Sequence, residues 1–164
     1  CTSLRPIAED AWDSICDWGP TAMLPIFNIL GNGYKTKNIV SHIDDEGHDQ
    51  FTKITFLYDH AVASATVAKG VKSEGELIVS GSKGYIYVPA PWWKTDYFEI
   101  RYEEASQNKR YFYQLDGEGI RYELVAFTRA IESGRNLSYV DSNVSNRICE
   151  VVGDFYAQKD CAMI

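Results

Sequence analysis

The chain has 164 residues, 45% of them apolar, 24% charged and 13% aromatic, which is enough for one domain with a full core and too short for most two-domain enzymes. That composition excludes a disordered or low-complexity protein, and 16 Lys and Arg against 23 Asp and Glu, a net charge of -7 with no basic cluster, argue against a nucleic-acid or anionic-membrane role. The longest apolar runs are a few residues, far below the ~18 that span a bilayer, and no signal-like segment opens the chain, so a soluble, cytoplasmic protein is expected.

The first residues, Cys1-Thr2-Ser3, carry no initiator methionine and read as an entry into a longer polypeptide. Ser3 to Ile7 looks extended, and Glu9 to Asp17 reads as an acidic, Trp-containing connector. Gly19-Pro20 then introduces a mostly apolar helix over Thr21 to Leu30, closed by Gly31-Asn32-Gly33, with Pro25 near enough to its start to be tolerated. Seven strands follow, over Thr36 to Ile43, Phe51 to Tyr58, Ala61 to Ala68, Glu76 to Ser80, Gly84 to Val88, Tyr97 to Tyr102 and Lys109 to Leu115. Period-2 alternation is clear in Ile54, Phe56 and Tyr58 and in Phe98, Ile100 and Tyr102, while Asp59-His60 and Gly81-Ser82-Lys83-Gly84 are short enough for antiparallel hairpins.

The last third is helical. Ile120, Leu124, Phe127 and Ile131 recur at i, i+4, i+7 and i+11 before Gly134, and Val144, Ile148, Val151 and Phe155 repeat that spacing after Asp141-Ser142, a candidate N-cap. A run of antiparallel strands with segregated helices predicts an α+β fold: one large, open, mostly antiparallel sheet with the three helices covering one face. The other face carries Tyr85 and Tyr87, Tyr111 and Tyr113, and Ala63 and Ala65, a surface suited to pairing two copies into a dimer or higher homo-oligomer.

Several candidate chemistries fall away on spacing. Neither G-x-G-x-x-G nor G-x-x-x-x-G-K-[ST] occurs, and Gly81-Ser82-Lys83-Gly84, which lies between two strands, is a hairpin rather than a phosphate cradle, so no dinucleotide is expected to bind this chain. Cys1, Cys16, Cys149 and Cys161 form no C-x-x-C pair and are expected as free thiols. His60 reads as a turn residue and His42 as a strand residue, and the loop from Asp44 to Asp49, with His48 as its single histidine, reads as a solvated charged loop with no metal. Trp92, Trp93 and Lys94, after Pro89-Ala90-Pro91, are open to two readings: an aromatic pair that stacks on a sugar ring, or a cover for a sheet edge or interdomain contact.

Asp17-Trp18-Gly19-Pro20-Thr21 ahead of a helix ending in Leu30-Gly31, the hairpin Tyr58-Asp59-His60-Ala61, Gly81 to Pro89 followed by Pro91-Trp92, and Gly119 through Glu123, Phe127, Ala130-Ile131 and Gly134 resemble, in order and spacing, the C-terminal domain of the glucose-fructose oxidoreductase/inositol dehydrogenase/MocA family. The resemblance spans nearly the whole chain and implies that residues 1–164 are a single C-terminal substrate-binding and oligomerisation domain of dihydrodipicolinate reductase-like type. It also implies an N-terminal Rossmann domain, absent from this chain, that binds NAD or NADP and supplies a lysine. Sugars, polyols and their derivatives are the substrates it implies.

Hydride transfer from an alcohol needs a group that handles the hydroxyl proton. The family commonly reads Asp-x-Gly-x-His at this place, sometimes with Tyr last; here Asp17 and Gly19 match, Thr21 stands at the histidine position, and Leu24 replaces an acidic residue. The resemblance therefore assigns Asp17 and Thr21 to the catalytic region, and Trp18, Trp92, Trp93 and Lys94 to substrate binding. Threonine cannot exchange a proton near neutral pH as imidazole does. Either Thr21 and Asp17 only orient a substrate hydroxyl, or the chain is a non-catalytic ligand-binding or assembly module of the same fold. On the residues alone, Asp17 could equally cap the helix.

Overall fold

The computed structural model describes residues 13–114, 117, 119–135 and 140–164. The expected extended segment Ser3 to Ile7, Cys1 and the end of the Lys109 to Leu115 strand fall outside them. In chain order the elements are α1 (Ser14–Asp17), α2 (Gly19–Leu30), β1 (Thr36–Ile43), β2 (Asp49–Leu57), β3 (Val62–Ala68), β4 (Leu77–Gly81), β5 (Gly84–Val88), β6 (Tyr97–Tyr102), a 3-10 turn at Ala105–Gln107, β7 (Lys109–Phe112), α3 (Ile120–Ser133), α4 (Ser142–Tyr156) and β8 (Cys161–Met163). The class is α+β with mostly antiparallel strands, as expected. No helix among the described residues is long and apolar enough to cross a membrane.

The strands pair as two four-stranded sheets, β3-β2-β1-β8 and β4-β5-β6-β7, rather than as the single sheet expected. The break follows β3. Lys69 and Gly70 donate their amides to the Gln50 carbonyl at 3.1 and 3.0 Å, and the chain then runs through exposed residues to Gly75 at φ +76 before β4 begins. The fold accordingly divides into two compact units, one of the residues up to Lys72 with Val140–Ile164, the other between Ser73 and Tyr139.

In the first unit the register puts Lys37, Phe56 and Ala63 in one row, Ile39, Ile54 and Ala65 in the next, and Ser41, Thr52 and Val67 in a third. These rows form the covered face. They meet Ile15, Met23, Ile26 and Phe27 from α1 and α2, and Val144, Ile148, Val151, Val152 and Phe155 from α4. Ala63 and Ala65 thus face the core beneath α2, not the open side as expected, because strand parity ties them to Phe56 and Ile54. The parallel strand β8 escaped sequence reading; it pairs Cys161, Ala162 and Met163 with Ile39, Val40 and Ser41.

In the second unit, parity separates the two tyrosine pairs. Tyr85 and Tyr87 stand opposite Arg101 and Glu99 on one face, whereas Tyr111 stands opposite Phe98 on the other and Tyr113 lies beyond the strand end. The continuous tyrosine surface expected from the sequence does not form. The described residues of this unit contain no buried apolar side chain, and α3, expected to cover a sheet, has no buried residue.

Cys16 and Cys161 are free, half-buried thiols, while Cys149 is disulfide-bonded, against the expectation of four free thiols.

Candidate functional site

The residues assigned to catalysis sit at the joint of α1 and α2. Trp18 donates its amide to the Ser14 carbonyl at 2.9 Å and accepts from the Ala22 amide at 3.0 Å, so the two helices run on through one residue. Gly19 is closely packed at this joint: a Cβ there would stand 3.2 Å from Ile15 Cγ1, so a larger residue would require the Ile15 side chain to shift. Asp17 ends α1 and does not cap α2, whose N-cap is Trp18 with no side-chain cap bond. Asp17, Trp18 and Thr21 are all exposed, Trp18 at 46%. Pro25 lies inside α2 and has no N–H to give the Thr21 carbonyl four residues earlier, so Thr21 offers both its hydroxyl and a carbonyl deprived of that helical donor.

The joint is held from below by a carboxylate. The Ile15 amide and the Thr52 hydroxyl donate to Asp49 Oδ2 at 3.0 and 2.7 Å, and the Ser14 hydroxyl donates to the Asp49 carbonyl at 2.8 Å. Asp49 is 1% exposed and its Oδ1 has no hydrogen-bond partner, so this end of the acidic loop is buried, not solvated as expected. Burial pushes its carboxyl above the usual range against the opposing Thr52 and Ile15 bonds. Tyr156 of α4 adds a second tie, donating to Asp13 Oδ2 at 2.6 Å; burial and that bond hold its phenol far above its ordinary value. From the exit of β3, Lys69 Nζ approaches Asp17 Oδ2 at 3.5 Å. Lys69, Asp49 and Tyr156 were not singled out from the sequence because no local motif links them to residues 13–21.

The aromatic candidates lie in the second unit. Trp92 and Trp93 meet edge to face with centroids 6.0 Å apart, and the Trp92 amide donates to the Gly75 carbonyl at 3.1 Å. Gly75 adopts φ +76, a conformation strained for any residue with a side chain, and the Trp93 ring lies at ordinary contact distance from it. Trp92 is half-buried, Trp93 is 44% exposed and Lys94 is exposed.

In the loop between β1 and β2, Asp44 Oδ1 accepts from the His48 and Glu46 amides, and the His48 bond is the main reason its carboxyl lies below the usual range. It therefore organises a turn. His42 is exposed on β1, and His60 lies in the β2–β3 hairpin closed by the Tyr58 amide on the Ala61 carbonyl at 2.9 Å.

A cleft of about 460 Å³ in the first unit was not anticipated; Tyr34, Lys37, Arg147, Glu150, Asp154 and Asp160 contribute to its walls. The Lys37 side chain is 4% exposed and donates to Asp154 at 2.7 Å and Asp160 at 2.9 Å. Burial opposes its charge, but the two carboxylates outweigh it and hold the ammonium above its usual range. Arg147 pairs with Glu150 at 2.7 Å. Through its two bonds Lys37 ties α4 and the turn before β8 to β1.

No protein-family model matches the sequence, and no curated protein matches it. Solved structures do. The chain superposes on KijD10, a 3-ketoreductase from Actinomadura kijaniata in complex with TDP-benzene and NADP, with a TM-score of 0.76 at 13% identity over 93% of this chain and 49% of that one. For an aldose-aldose oxidoreductase from Caulobacter crescentus complexed with glycerol the values are 0.71, 16%, 88% and 44%. For biliverdin reductase from Synechocystis sp. PCC 6803, in complex with biliverdin and NADP+, they are 0.67, 14%, 87% and 45%. The chain thus spans about half the length of the structures it matches, and at such identities the likeness establishes a shared fold.

Proposed function

We propose that this chain is the substrate-binding domain of an NAD(P)-dependent oxidoreductase acting on a sugar, polyol or sugar derivative, with the dinucleotide held by a Rossmann domain of the same polypeptide. The observation that carries the reading is the α1–α2 joint, where Asp17, Trp18 and Thr21 are presented together on a fold shared with half of an NADP-bound ketoreductase. Asp17 supplies an acceptor carboxylate, Thr21 a hydroxyl and a carbonyl, and Trp18 an apolar ring face, a set suited to orienting a hydroxyl-bearing carbon. Thr21 cannot exchange a proton near neutral pH as an imidazole does, so on this reading the proton passes to a residue of the dinucleotide half. Trp92, Trp93 and Lys94 offer a second ring-stacking surface. NAD or NADP would supply the hydride chemistry.

Thr21 in place of an imidazole also favours a second reading, a non-catalytic ligand-binding module. Both readings assign dinucleotide binding outside these residues. Calorimetry of the 164-residue chain with NADH and NADPH tests this, with no measurable heat of binding expected and micromolar binding of either as the result that would reject it.

A further inference from the structure

We propose that Lys69 is a specificity-determining residue: with Asp17 it forms a donor–acceptor pair that takes two adjacent oxygens, those of a vicinal diol or of the α-hydroxy ketone formed from it. The inference rests on the reading that the α1–α2 joint faces the substrate. Lys69 Nζ stands 3.5 Å from Asp17 Oδ2 and the two side chains are 35 and 38% exposed, so both charged groups are open to a ligand. An exposed ion pair contributes little to stability. What sets this one apart is how its partners are held.

Two consecutive residues at the start of β2 fix both of them. Asp49 holds α1, through the Ile15 amide on its Oδ2 and the Ser14 hydroxyl on its carbonyl, and so places Asp17 one half-turn further on. Its neighbour Gln50 holds the chain leaving β3: its carbonyl accepts from the Lys69 and Gly70 amides, and its side-chain amide donates to Asp44 Oδ2 at 2.6 Å. Pairing of Phe51 with Ala68 carries this clamp into the sheet. Both backbones are thus tied to one strand end, which sets the carboxylate beside the ammonium before any ligand arrives. Thr21, four residues after Asp17 on the helical path that runs on through Trp18, falls on the same face.

An ionised carboxylate only accepts hydrogen bonds and an ammonium only donates them, whereas a hydroxyl does both. Neighbouring hydroxyls, one donating to Asp17 and the other accepting from Lys69, therefore satisfy the pair together. When the carbon gives its hydride to the dinucleotide and its hydroxyl gives the proton to the dinucleotide half, the carbonyl oxygen that remains still accepts from Lys69, so the contact survives the change of oxidation state. Because Asp17 balances the charge of Lys69, the pair calls for neutral oxygens rather than for a phosphate or carboxylate group.

Nuclear magnetic resonance of the 164-residue chain titrated with trans-1,2-cyclohexanediol and, separately, with its cis-1,3 isomer is the test. The 1,2 isomer should shift the Asp17, Trp18 and Thr21 amides saturably and bind roughly fivefold more tightly than the 1,3 isomer, whose hydroxyls lie further apart. Lys69→Met should abolish that preference, Lys69→Arg should retain it, and Lys53→Met, at an exposed lysine of β2, should leave it unchanged. The comparison of isomers is made on the native chain and so decides the matter even where a variant folds poorly. No saturable binding, equal binding of the two isomers, or a preference indifferent to Lys69→Met would each overturn the inference. Binding of the 1,2 isomer that depends on Lys69, in a longer polypeptide without NADP-linked turnover, would instead reject the oxidoreductase reading and leave the role of the pair standing.

Discussion

Helices α3 and α4 carry the same apolar spacing and meet opposite fates. In α4, Val144, Ile148, Val151 and Phe155 are 9, 6, 0 and 4% exposed; in α3 the corresponding residues remain about two-thirds exposed. The contrast extends to their units. All fourteen buried apolar side chains among the described residues belong to the first unit, where a sheet face and helices α1, α2 and α4 close on one another. Periodicity therefore specifies that a stripe exists, while long-range contacts decide whether it is covered. The first unit buries its apolar side chains within itself, and the second, among the described residues, buries none.

The sharpest way to break that comparison is to truncate one aromatic in each unit. Phe56 is fully buried against Phe27 and Tyr34, so Phe56→Ala should cost about 3–5 kcal/mol, whereas Phe112, 71% exposed on β7, should cost well under ~1 kcal/mol. Urea denaturation of the two variants reads the difference, and equal costs would erase the contrast between the units.

A smaller effect is expected at Lys37. Lys37→Met leaves Asp154 without its buried cation and should destabilise by about 3 kcal/mol, and adding Asp154→Leu should recover most of that loss. Failure of the double variant to recover would mean that the Lys37–Asp154 pair is more than a local match of charge.

The smallest effect is a slope with pH. Burial raises the Asp49 carboxyl above its reference value of 3.8, so the folded chain binds that proton more tightly than the unfolded one. The contribution is fully present below pH 3.8 and is lost as pH rises through the raised folded value. Asp49→Asn removes this group, so the stability of the native chain relative to the variant should fall as pH rises across that window. Asp154, whose carboxyl Lys37 holds below its usual range, contributes with the opposite sign and cancels between the two proteins. A constant difference across pH would contradict the burial of an ionisable Asp49.

Much of the fold was legible because it is local. The bounds of β1, β5 and β6 coincide with those expected from alternation and hairpin signals, and the three long helices were placed to within two residues at each end. What escaped notice depends on distant partners. The four-residue α1 is held by Asp49 from 35 positions away, and the three residues of β8 become a strand only through parallel pairing with β1. Strand parity also overturned the expected open surface: Ala63 and Ala65 turn inward, and Tyr85 and Tyr111 go to opposite faces. At the candidate site, the succession Asp17-Trp18-Gly19-Thr21 could be read directly because those residues are neighbours in the chain. Lys69 could not, since only the fold brings the end of β3 beside Asp17.

Under the proposed function, the α1–α2 joint orients the substrate. Steady-state kinetics of the longer polypeptide proposed above, measured as NADP-linked turnover across sugars and polyols, tests it most directly. Thr21→Ala should lower kcat/KM by roughly two- to tenfold, the worth of a neutral hydrogen bond of about 0.5–1.5 kcal/mol, and Asp17→Ala should lower it further. Turnover unaffected by either change would contradict the account, and a thousandfold loss with Thr21→Ala would show that Thr21 takes part in proton transfer rather than in orientation.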